Sequence, residues 1–268
     1  MLRSLGNMLG SAVLAKDVEI WKVHDFYFDD QTWIVRYPVV ETGDWLRRRR
    51  VLISTSALGK PEWQGHLFPV ELTQEQVRSS PDVDTDKPVS RQHEIAMNAH
   101  YNWPHYWLGE PTGADPMPIP LPADLPEEGE TSGDPHLRSL REVNCYSLQN
   151  EGSRIGLVDD FTVDDEKWVI RYLVIATGSH WPRKRVLIGS SWVGQVLLAA
   201  KEIRTTLTQA DLGNSPEFDP ATFMDRKYEL RLYEHHGRPR SEPDGRGPSG
   251  HRDSKRGEQQ CFVTDKFQ

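Results

Sequence analysis

The chain has 268 residues, 37% of them hydrophobic and 27% charged, and carries a net charge of −8. That length accommodates two modest domains of ordinary globular composition. The negative balance argues against a general nucleic-acid binder, which needs Lys and Arg clustered on one face, and suits a cytoplasmic protein. The longest apolar runs are strand-length, well short of the roughly 20 residues of a membrane-spanning helix. Two cysteines, Cys145 and Cys261, give neither a disulfide framework nor a metal-ligand spacing; Cys145 is expected to be a buried small hydrophobe and Cys261 an exposed tail residue.

In chain order, the opening stretch has Arg3 and a short apolar region in the manner of a secretory signal, but Gly6, Asn7 and Gly10 interrupt it. Leu2-Arg3-Ser4-Leu5 returns as Leu137-Arg138-Ser139-Leu140, 135 residues later, so the segment belongs to a repeat and is expected to be retained. Strands are expected over Gly10 to Ala15, Ile20 to Phe28, Trp33 to Val40, Arg49 to Ile53 and His66 to Leu72. The Trp33–Val40 segment alternates Trp33, Val35, Tyr37 and Val39, and Asp29 to Thr32 supplies the turn before it. The stretch WIVRYPVVETGDWLRRRRVLI, Trp33 to Ile53, comes back as WVIRYLVIATGSHWPRKRVLI, Trp168 to Ile188, at the same 135-residue offset. The chain is therefore a tandem repeat.

Thr73 begins a helical turn with the capping-box pattern T-x-x-Q, ended by Ser80-Pro81, and Thr208 begins its copy, ended by Ser215-Pro216. A longer helix is expected from Ser90 to Ala99, running into an aromatic cluster that Pro104 stops. From Leu108 to Pro135 the chain holds seven prolines, seven acidic residues and no Lys or Arg, the composition of a semi-extended linker. Residues 2–107 thus form a first unit, 108–135 a linker, 136–236 a second unit, and 237–268 a polar, Gly- and Pro-rich tail expected to be disordered. Repeat duplication further suggests a pseudo-two-fold pair in which each unit covers the open edge of the other.

Asp25 and Arg36 return as Asp160 and Arg171. A hairpin centred between Asp30 and Gln31 places position 25 opposite position 36, predicting a cross-strand ion pair in each repeat that fixes register. Arg47, Arg48, Arg49 and Arg50, matched by Arg183, Lys184 and Arg185, form the strongest basic feature. A charged edge hairpin blocks edge-to-edge sheet aggregation; with Trp45 and Trp181 beside it, the same hairpin is a candidate partner-binding surface. His93, Met97 and His100 share a helical face, but the copy has Tyr228 for His93 and no ligand set is completed. Tyr101, Trp103, Tyr106 and Trp107 are read as closing a barrel end. Gly-rich phosphate loops, nucleophile elbows and HExxH are all absent, so no catalytic residue, metal or cofactor is expected.

The run from Ile20 to Ser54, then LTQEQVRSSPDVDTDKPVSRQHE and YNWPHYW, resembles a PRC-barrel domain, as does its copy from Arg154 to Gly189 followed by LTQADLGNSPEFD. The resemblance covers roughly residues 2–107 and 136–237. It implies a mainly β fold of two small antiparallel barrels in tandem, each a strongly bent sheet followed by short helices. PRC-barrels occur in the cytoplasmic part of the H subunit of purple-bacterial photosynthetic reaction centres and in the C-terminal domain of the ribosome-maturation factor RimM, where they bind other proteins. The implied role is a non-enzymatic bacterial adaptor or scaffold that binds a protein partner, including peripherally at the cytoplasmic face of a membrane complex of the H-subunit type. A ribosome- or RNA-associated factor acting through the basic hairpins is the second reading, and an enzyme with a pocket near His24 and Asp25 the third.

Overall fold

The computed structural model describes residues 1–17, 20–42, 49–63, 65–81, 91–103, 136–178, 184–219 and 226–237. The segments assigned to linker and tail lie outside them. The first half contributes β1 (Leu2–Ser4), β2 (Ala12–Leu14), β3 (Ile20–Asp29), β4 (Val35–Thr42), β5 (Arg49–Leu52), β6 (Leu67–Pro69), α1 (Gln74–Arg78) and α2 (Arg91–Tyr101). The second contributes β7 (Leu137–Ser139), α3 (Leu140–Val143), β8 (Ser147–Asn150), β9 (Ser153–Asp164), β10 (Val169–Thr177), β11 (Lys184–Gly189), β12 (Val193–Leu197), β13 (Glu202–Thr205), α4 (Gln209–Asn214) and α5 (Arg226–His236). The expected strands and helix starts are all found, within a few residues at their ends. Both capping boxes form, Thr73 with Gln76 and Thr208 with Asp211, so two exposed helix starts have their first amides satisfied locally.

The strands make two sheets, ordered β5-β4-β3-β2-β6 and β11-β10-β9-β8-β13-β12. The fold is mainly β. Among the described residues each order runs as a path with two ends. Neighbours are antiparallel, apart from the parallel pairs β2 with β6 and β8 with β13. Alternation along β4 buries Val35, Tyr37 and Val39, as its period-2 pattern requires.

Each sheet also holds a strand from the other half. β1 pairs with the far end of β9, through Leu2–Asp164, Arg3–Val163 and Ser4–Thr162, and β7 pairs with the far end of β3, through Asp29–Leu137, Phe28–Arg138 and Tyr27–Ser139. The two N-terminal segments are exchanged. Between them the β3–β4 and β9–β10 hairpins meet at their tips: Ile34 bridges Val169, the Val35 amide donates to the Trp168 carbonyl, and the Ile170 amide donates to that of Trp33, both at 2.7 Å. Trp33 and Trp168 hold positive φ of 59° and 54°, which for bulky residues is strained and here aims both carbonyls across the junction. Phe28 stacks on Trp33 and tilts against Phe161, with both centroid distances 5.6 Å, while Phe26 stacks on Trp168 at 6.2 Å. One hydrophobic core thus runs through both halves, which meet through the exchanged strands on β9 and β3 and through the hairpin tips.

Cys145 corrects an expectation. It is exposed, with φ 75° matching the 78° of Gly10 at the equivalent position, because this left-handed turn before β2 and β8 lies at the surface.

Candidate functional site

Asp25 and Asp160 sit where the exchanged strands arrive. The β3–β4 turn closes from Asp29 to Ile34 and one bulge follows between Phe28 and Tyr27, so Asp25 faces Val39; the β9–β10 hairpin has the same turn and a bulge between Ile170 and Tyr172, so Asp160 faces Val174. This corrects the expected pairing with Arg36 and Arg171: a turn centred one residue later moves the partner by two positions, and the bulge moves it by one more. Asp25 instead accepts from Ser139 Oγ at 2.5 Å, from the Arg141 amide at 3.2 Å and from the Phe26 amide at 2.8 Å. Asp160 accepts from Ser4 Oγ at 2.5 Å, the Gly6 amide at 2.9 Å and the Phe161 amide at 2.7 Å. Each carboxylate binds the incoming segment of the other half. Burial raises both carboxyls above the usual Asp range, and the Ser hydroxyls and amides work against that rise. Arg36 reaches Asp29, at 3.6 Å, and Arg171 is half-buried on β10.

A second matched pair lies nearby. Arg138 meets Asp30 at 2.7 Å with both side chains 8% exposed, and His136 joins at 3.1 Å. In the other half Arg3 meets Asp165 at 3.3 Å, and the N-terminal ammonium binds the same carboxylate. Burial pushes the Asp30 carboxyl up while Arg138 and then His136 pull it down.

Of the basic hairpins, Trp45, Arg47, Arg48, Trp181 and Arg183 lie outside the described residues. Arg49 donates to the carbonyls of Arg78 and, at 2.7 Å, Ser80, and Lys184 donates to that of Gly213 at 2.7 Å. Both cations therefore cap the C-terminal end of a short helix, where carbonyls are left over and the dipole favours positive charge. Arg185 pairs with Asp159 at 2.6 Å. The equivalent residues Arg50 and His24 are both basic: burial first, then Arg50 and Arg141, lower the His24 pKa, with Glu41 opposing.

On the helices, Met97 is buried, while His100 Nε2 donates to the Gln76 carbonyl at 2.9 Å, as His235 does to that of Asp211 at 3.0 Å. Tyr101 is buried and stacks on Trp103 at 4.2 Å, and burial raises its pKa to about 12. His105, Tyr106 and Trp107 lie outside the described residues. No group of three or more His, Cys, Asp or Glu at metal-binding separation occurs among the described residues. One buried arrangement escaped the sequence reading. Tyr37 donates to Glu94 at 3.1 Å and Tyr172 to Glu229 at 2.7 Å, with Glu94 fully buried. The recurrence of both residues at the common offset was the available signal.

Two clefts open in the first half. One, of about 150 Å³, is lined by Arg3, Asn7, Ser11, Trp63, His66 and Phe68, among others; Arg3 sits over the Trp63 ring at 4.4 Å. The other, of about 200 Å³, lies among Arg36, Tyr37, Ser54, Thr55, Asn98 and Trp103. At the position equivalent to Ser11 the second half carries Tyr146, buried, with its hydroxyl donating to Glu142 at 3.1 Å. At the position equivalent to Asn98 it carries Tyr233, packed on Trp192 at 5.6 Å. The carboxylates, the capping cations and the Tyr–Glu pairs hold the halves and helices together, whereas the clefts belong to the surface. No protein-family model matches the chain, and no curated protein matches it.

Proposed function

We propose that this chain is a non-enzymatic adaptor of the PRC-barrel type, each sheet with its helices serving as one barrel, and that it binds a protein partner. The location we propose is cytoplasmic, including the cytoplasmic face of a membrane complex of the reaction-centre H-subunit type; among the described residues no helix is long and apolar enough to cross a membrane. The observation that carries the reading is the strand exchange. Its carboxylates, Asp25 buried and Asp160 half-buried, are each engaged by three donors from the fold itself, which suits a rigid support better than a reactive group. A body with two related halves locked in one orientation suits a scaffold that presents two faces at a set distance. Arg49, Lys184 and Arg185 of the hairpins contact helix carbonyls or Asp159, which weighs against a phosphate-binding surface.

The test is affinity capture from lysate of the source cells with the intact chain, at low and at high salt. A single protein recovered at both salt concentrations is expected. Ribosomal material or RNA that disappears at high salt overturns the reading in favour of a nucleic-acid factor.

A further inference from the structure

The two halves share a backbone around Ser11 and Tyr146. Gly10 and Cys145 have φ of 78° and 75°, and their amides donate to Val23 at 2.8 Å and Val158 at 2.9 Å. The Ser11 and Tyr146 carbonyls accept from those same two residues, each at 2.9 Å. The Cβ atoms therefore leave the chain in the same direction, and the groups they carry differ. In the second half the position carries a tyrosine whose side chain is buried and whose hydroxyl donates to Glu142. In the first half the ring is missing, Asn7 stands at the Glu142 position, Arg3 at that of Arg138, and a cleft of about 150 Å³ opens. Trp63 and Phe68 meet edge to face at 5.8 Å beside it. A cavity of about this size holds one benzene-sized ring.

We infer that this cleft receives one tyrosine side chain of a protein partner, its ring against Trp63 and Phe68 and its hydroxyl donating to the Asn7 side-chain carbonyl, as Tyr146 donates to Glu142. The inference rests on the adaptor reading. Tyrosine is a frequent interface anchor because one rigid ring buries much area at low entropy cost and its hydroxyl still finds a partner. Glu62 and His66, both exposed at the rim, meet the polar backbone that would carry such a ring.

The experiment titrates the full chain with p-cresol, the tyrosine side chain cut at Cβ, and follows the indole N–H resonance of Trp63, assigned with Trp63→Phe. A saturable shift centred on Trp63 is expected, weaker with toluene, which lacks the hydroxyl. Ser11→Tyr, which restores the plug of the second half, should weaken p-cresol at least tenfold, and Ser11→Ala should leave it unchanged; if Ser11→Tyr fails to fold by circular dichroism, Ser11→Leu is the plug. N-acetyltyrosinamide, which presents the ring from a peptide backbone, should shift the same resonance. Absence of saturation, or binding that survives the plug, overturns the site. Binding of p-cresol with exclusion of N-acetyltyrosinamide assigns the cleft to free phenols and overturns the partner. A capture experiment that yields no protein partner refutes the adaptor reading and leaves the p-cresol result standing, so the two failures are distinguishable.

Discussion

Set side by side, the two halves agree where they hold the molecule together and differ where the first half is open. The same contacts occur twice at the exchanged strands: Ser4 to Asp160 and Ser139 to Asp25, Arg3 to Asp165 and Arg138 to Asp30. So do the helix supports, Arg49 and Lys184 on short-helix carbonyls, His100 and His235 on the same helices, and Tyr37 and Tyr172 on buried glutamates. Divergence is concentrated elsewhere. Ser11 corresponds to Tyr146, Ala57 to Trp192, Asn98 to Tyr233 and His24 to Asp159, and the first three replacements put aromatic bulk in the second half where the first has small or polar residues. The frame is the same in both copies and the aromatic plugs are in one, so the open copy is the place to look for a ligand.

The matched contacts are not of equal strength, and the largest expected effect tests that inequality. Arg138 and Asp30 are both 8% exposed, whereas the Arg3 side chain is 20% exposed and its bond is longer. Arg138→Ala strands a buried carboxylate and should cost about 3–5 kcal/mol, against about 1 kcal/mol for Arg3→Ala. Urea unfolding of both variants measures the difference, and equal losses would break the distinction.

Next come the carboxylates under the exchanged strands. Asp25→Ala removes the acceptor from a serine hydroxyl and two amides and should cost about 3 kcal/mol, and Asp160→Ala, at a half-buried site, about 2 kcal/mol. Their titration has a definite sign. Both folded pKa values lie above the ordinary 3.8, so the folded state holds the extra proton. This contribution to stability is complete below 3.8 and is lost as pH rises through the raised folded values. Asn cannot lose it, so the melting temperatures of Asp25→Asn and Asp160→Asn should gain on the parent as pH rises from the acid side. A constant gap across that window would refute the assignment.

Removing a hydroxyl from the Tyr–Glu pairs should cost less. Tyr172→Phe, with a 2.7 Å bond, is expected to lose about 2 kcal/mol and Tyr37→Phe, at 3.1 Å, about 1 kcal/mol, read as shifts in the thermal midpoint. The smallest effect concerns His24, whose pKa burial, Arg50 and Arg141 hold below 6.5. The neutral ring is favoured by folding, so its contribution is present above 6.5 and is lost as pH falls through the depressed value. Acidification through that window should destabilise the parent by a fraction of a kcal/mol more than His24→Gln; identical pH profiles would show that the ring does not sense the two arginines.

Much of this was written in the chain itself. A recurrence at one offset established the duplication, period-2 alternation placed the strands, and T-x-x-Q with its Thr208 copy placed two helix starts, because these features depend on local geometry alone. The register of β3 on β4 was not legible, since a turn centred one residue later and one bulge together moved the partner of Asp25 from Arg36 to Val39, and neither leaves much local signature. The cleft was equally hidden, although the exchange of serine for tyrosine between positions 11 and 146 was visible, because nothing in the sequence said that both side chains point into one space. The exchange itself could not be read at all. Leu2-Arg3-Ser4 and Leu137-Arg138-Ser139 are identical, so either could pair with β3 or with β9 by the same hydrogen bonds and the same serine–aspartate contact. Two near-identical strands facing two near-identical edges make local energies the same for both pairings, and only the packing of the two halves against each other decides between them.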